Sequence, residues 1–95
     1  MDNIIVSTTV FEANINRLTN QLWKLIPMRE NGENWQSQLE TVVLEIIGLN
    51  KLFSDSLDFL ILISKLKGLE ESNVDFDLYR KTIFEAISLL RGIRL

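Results

Sequence analysis

The sequence predicts an all-α fold: a compact bundle of four helices, or three if the second and third are continuous. Two observations carry this expectation. Apolar residues recur in alternating steps of four and three along most of the chain, which is the seam spacing of amphipathic helices. The polar stretches between these seams are short and carry glycine, asparagine, serine or aspartate, the chemistry of turns and caps rather than of domain linkers. With 95 residues the expectation is one helical domain spanning 1–95.

The first seam is Phe11, Ile15, Leu18, Leu22 and Leu25, with Trp23 beside it. Thr9 followed by Glu12 fits a capping box. Pro27 should end the helix, because the residue before a proline is pushed out of the α region. Helix one is therefore expected over 9–26. Met28 to Asn34, with Gly32 after Asn31, reads as the turn into helix two, expected over 34–53. Its seam is Trp35, Leu39, Val42, Ile46, Leu49 and Phe53, and Trp35 and Phe53 are expected in the core. Gly48 lies inside this helix at a cost of about 1 kcal/mol relative to alanine, which suggests a close helix crossing, or failing that a hinge.

Phe53 to Ser56 supplies capping residues, and we expect a break there. Leu57 to Leu66 is apolar nearly all round apart from Asp58 and Lys65, so helix three should be buried on most faces. The run Phe59 to Ile63 also fits a strand, but a lone strand would find no partner elsewhere in the chain. Gly68 after Lys65 and Lys67 looks like a C-terminal cap, with the cations set favourably against the helix dipole. Asn73 or Asp75 can cap the last helix, expected over 75–91. It sets Phe76, Tyr79, Ile83, Phe84, Ile87 and Leu90 on one face, and Leu78, Ala86, Leu89 and Ile93 extend the apolar arc.

Absences in the composition limit the chemistry. The chain has no cysteine and no histidine, which removes disulfides, thiol nucleophiles, imidazole bases and the usual zinc ligand sets. No cofactor is expected. Glu71, Asn73, Asp75 and Asp77 alternate as in the start of a calcium loop, but the sixth place is Phe76 instead of glycine and the twelfth is Thr82 instead of glutamate. Glu40, Glu45 and Asp58 could pair as metal-holding acids in a carboxylate-dependent hydrolase. They fall on polar faces, however, without the three or more facing acids such sites collect. No catalytic or metal-binding residue is assigned, and the four scattered glycines cannot build a phosphate cradle.

A net charge of −3 argues against phosphate-backbone binding as the main activity. The C-terminal gathering of Arg80, Lys81, Arg91 and Arg94 leaves a nucleic-acid-associated subunit as the alternative reading. No apolar run approaches the ~20 residues of a membrane span, and the N-terminus lacks the features of a signal peptide, so no membrane association and a cytoplasmic location are expected.

One feature has no bland account. Four short helices cannot bury every apolar face at once, yet Leu44 sits in the middle of the polar face of helix two, with Leu52 nearby. Helices three and four carry apolar residues well beyond one stripe. We therefore expect Leu44, Phe59, Leu62, Leu66, Leu78, Leu89 and Ile93 to form an interface covered by another protein, either in a homo-oligomer or in a larger complex. The alternative is a third helix sandwiched centrally inside a monomer. The functional expectation is a noncatalytic interaction protein, acting as a structural subunit or adaptor or as an inhibitor docked on a larger partner. The isoleucine- and asparagine-rich, alanine-poor composition leans toward an AT-rich genome or a mobile element.

Overall fold

The computed structural model describes residues 2–54, 57–70 and 74–93, and within them the side chains of all but 2–8, 53 and 54. Among the described residues the fold is all-α, with α1 Asp2–Glu30, α2 Trp35–Leu49, α3 Leu57–Gly68 and α4 Phe76–Gly92. A π-helical turn, Asn50–Ser54, follows α2. No strand forms among the described residues, and the run 59–63 is helical throughout.

The helices close a ring in which α1 packs against α2 and α4, and α3 against the same two. Contacts at the ends give the directions. Phe11 of α1 meets Phe59 at the start of α3, while Leu25 lies beside Tyr79 at the start of α4, whose ring in turn meets Trp35 at the start of α2. Successive helices therefore run antiparallel, as short connections dictate. Inside the ring the stripes Phe11, Ile15, Leu18, Leu22 and Leu25 of α1 and Leu39, Val42, Val43, Ile46 and Leu49 of α2 are buried. They meet Phe59, Leu62 and Leu66 of α3 and Tyr79, Ile83, Ala86, Ile87 and Leu90 of α4, with Leu69 and Ile93 closing the ends.

α1 departs from expectation at both ends. It already runs through Thr9, so the Thr9–Glu12 pair lies in the helix interior and is not its cap. It also carries Pro27 and continues to Glu30. Pro27 and Trp23 are both exposed, so the hydrogen bond that proline cannot donate is lost on the water-facing side. The terminus comes instead from Gly32 at φ +71°, where the Glu33 N–H donates to Met28 O at 2.8 Å and the Gly32 N–H to Arg29 O at 3.2 Å. That is a Schellman cap with glycine in the left-handed position. Asn34 then caps α2, its side chain accepting from the Ser37 N–H at 3.3 Å.

Helical winding after α2 continues to Ser54, close to the expected end of helix two at 53, but its last turn changes type, and residues 55–56 of the expected break lie outside the described residues. The α-helical winding ends at Leu49, and the wider i→i+5 turn that follows rotates the chain out of the four-three phase. Leu52 is left exposed, and the side chain of Phe53, expected in the core, lies outside the described residues. Trp35 packs against the core while partly exposed. Trp23 flanks the α1 seam as expected, with its ring edge-on to Phe84 at 5.1 Å. At the α4 start Asp75 accepts from the Leu78 N–H at 2.8 Å, and α4 ends one residue beyond the expected Arg91. Gly68 is the last residue of α3, where Lys65 and Lys67 sit in the final turn, but its φ is not left-handed.

Gly48 is not a close crossing. It is exposed, and a Cβ built there would meet nothing within 4 Å. Gly48→Ala should therefore stabilise the protein by about 1 kcal/mol, raising Tm by roughly 4–8 °C in a thermal melt. An unchanged or lowered Tm would mean that the π-helical turn beside it needs the freedom of glycine.

Candidate interaction face

The seven residues expected at an interface separate in the structure. Phe59, Leu62, Leu66 and Ile93 are buried in the chain's own core, so their share of the surplus arc is internal. Leu89 is partly buried against that core. Leu44, 62% exposed, and Leu78, 51% exposed, remain on the surface. The reason is rotational phase. α3 turns Phe59, Leu62 and Leu66 inward as one stripe, continued by Leu69 in the turn after it, and Ile93 after α4 closes over the end of the core.

The residues that replace them belong to the opposite side of α3. Leu57, Leu60 and Ile61 are 70%, 53% and 40% exposed. At about 100° per residue they share one face with Ser64 and Gly68, both also exposed. α3 is therefore apolar on two sides and covered on one, which corrects the expectation that it is buried on most faces. Asp58 and Lys65 border this face along one edge and Lys67 along the other.

A second surface feature lies at the α1–α4 edge. Trp23 and Phe84 are exposed around their edge-on contact, and the Arg80 guanidinium lies 5.9 Å from the Phe84 ring centroid. Lys81 and Arg91 are exposed on α4, but Asp77 and Glu85 share that surface, and Arg94 lies outside the described residues. The cationic cluster that would support nucleic-acid contact is thus interleaved with acids.

The acids weighed as metal ligands are placed separately. Glu45 pairs with Arg17 at 2.9 Å across α1 and α2, Glu40 and Asp58 are exposed, and Asp75 is a helix cap. Glu71 and Asn73 lie outside the described residues. Among the described residues no group of three acids comes together. Nor is any described helix long and apolar enough to cross a membrane.

The polar arrangement that the sequence reading missed is at the end of the bundle where α2 and α4 begin. The Arg29 guanidinium stacks 4.6 Å from the Tyr79 ring centroid and 5.1 Å from that of Trp35, and donates from Nη2 to Val74 O. Its Nη1 is buried without a partner among the described residues. The Trp35 ring packs edge-on to Tyr79 at 5.0 Å, and the Tyr79 hydroxyl donates to Leu25 O at 3.2 Å. One signal for this existed: the four-three seam of helix one, carried past Leu25, arrives at Arg29. Comparison with protein-family models, curated proteins and solved structures gives no match for this chain.

Burial pushes the Tyr79 phenol from 10.0 up to about 12, and the Arg29 charge pulls the other way. A phenol whose pKa is raised by folding adds stability that is complete below pH 10 and is lost as the pH rises through about 12. Urea titrations between those limits should show stability falling with pH, with a shallower fall in Tyr79→Phe. Equal slopes in the two proteins would refute the buried phenol. Arg29→Met removes both ring contacts and the bond to Val74 O, and should cost about 2–3 kcal/mol in the same assay. Arg29→Lys should recover only part of this, because an ammonium cannot lie against two rings and reach Val74 O at once as a planar guanidinium does.

Proposed function

We propose that the protein is a noncatalytic helical interaction module whose activity is docking through the outer face of α3. It would act as a subunit or adaptor of an assembly, or as an inhibitor seated on a larger partner. The observation that carries this reading is the exposure of Leu57, Leu60 and Ile61 together on one face of a twelve-residue helix whose other face already fills the core. Single exposed apolar residues are ordinary on soluble proteins, whereas a contiguous aliphatic stripe bordered by charges is the composition of a binding surface. Leu44 and Leu52 on the neighbouring α2 segment supply further exposed aliphatic surface. The absence of histidine and cysteine, and the engagement of Glu45 and Asp75 in an ion pair and a cap, support a binding role over a chemical one.

The test is chemical cross-linking in the native host with wild type and with a variant carrying Leu57→Gln and Ile61→Gln. Both positions are exposed, so the variant should keep its helical circular dichroism and melt within a few degrees of wild type. Wild type should form adducts, to itself or to another protein, that the variant loses at least tenfold. Undiminished adducts in a folded variant would overturn the docking face.

A further inference from the structure

We infer that the occupant of this face is a second copy of the same chain, docked antiparallel so that α3 packs on α3 about a two-fold axis. The inference rests on the docking face proposed above and adds to it the identity and direction of the partner. Three properties of α3 point the same way. The first is shape. Along the exposed stripe the N-terminal half is large, Leu57 and Ile61, and the C-terminal half is small, Ser64 and Gly68. An antiparallel pair sets Leu57 over Gly68 of the second copy and Ile61 over Ser64, so each large side chain meets a small one. At Gly68 there is open space, since a Cβ there would meet nothing within 4 Å. A parallel pair would stack Leu57 on Leu57 and leave a hollow at the glycines.

The second property is charge. Asp58 and Lys65 lie seven residues apart on the same edge of the stripe, and neither has an ion-pair partner among the described residues. In antiparallel pairing, like edges of the two helices come together, so Asp58 of each copy faces Lys65 of the other, twice per dimer. On the opposite edge Leu60 lies against the methylene stem of Lys67 from the second copy, whose ammonium remains in water. The third property is the helix dipole, since antiparallel packing brings the positive end of each α3 beside the negative end of its mate. A contact of about 18 Å of helix is short, so the affinity should be modest.

Because the chain has no cysteine, single-cysteine variants report the geometry directly. Under mild oxidation an equimolar mixture of Leu57→Cys and Gly68→Cys should give mostly the mixed disulfide dimer, and Gly68→Cys alone should cross-link at least tenfold more slowly. In parallel, sedimentation of wild type from ~10 μM to ~1 mM should show the mass rising from 11.0 kDa toward twice that value. Asp58→Lys should weaken the dimer about tenfold by setting lysine against lysine, and Asp58→Lys with Lys65→Asp should restore it. A chain that stays monomeric throughout, a dimer indifferent to these reversals, or faster cross-linking of Gly68→Cys with itself would overturn the inference. Loss of host adducts to a different protein in the Gln variant would still leave the docking face standing.

Discussion

A ring of four helices offers each member one inward side, and the rest of the structure depends on that limit. α1, α2 and α4 each place one apolar stripe inward and keep most of their charged residues outward. α3 cannot comply, because between Leu57 and Leu66 it carries only Asp58, Ser64 and Lys65 as polar residues. Burying one side of it necessarily exposes the other, whichever stripe is chosen. The exposed leucines are thus a consequence of composition and ring geometry together, and relaxing the packing could not remove them.

Much of the fold was legible in the seams. The inward stripes of α1, α2 and α4, the Asp75 cap and the turn role of Gly32 follow from spacing and local chemistry. What the sequence did not disclose was decided by tertiary contacts. Pro27 reads as a terminator because its local penalty is visible, whereas the offsetting terms are not local. They are the packing of Met28 against the core, the contact of the Arg29 guanidinium with the Trp35 and Tyr79 rings and the Schellman turn at Gly32. Gly48 reads as a crossing because glycine in a helix usually has a reason, and here a Cβ would meet nothing. The π-helical turn leaves no periodic signature, since it is a change of phase five residues long.

The cluster around Arg29 shows how a charged residue can close a small core. Tyr79 is wholly buried, and its hydroxyl finds the Leu25 carbonyl while its ring lies under the guanidinium. The cluster ties the last turn of α1 to the N-terminal turns of α2 and α4, so three helix ends are fixed through one cation. Arg29 is partly exposed, which lets a charge that would be costly at the centre of the bundle serve at its end.

The candidate face was half legible. The surplus of apolar perimeter on α3 is a matter of counting, but which side would be surplus depends on rotational phase, and here the two stripes differ in length. Phe59, Leu62 and Leu66 remain aliphatic or aromatic along the helix, and Leu69 continues them in the turn beyond it. Leu57, Leu60 and Ile61 give way to Ser64 and Gly68 within two turns. Turning the first stripe inward buries more apolar surface and leaves no hydroxyl facing the core, so that phase is favoured by both hydrophobic transfer and hydrogen-bond satisfaction. The same comparison explains why the outer stripe is large at one end and small at the other: it is the stripe that the core can do without, and its taper is free to suit a surface outside the bundle.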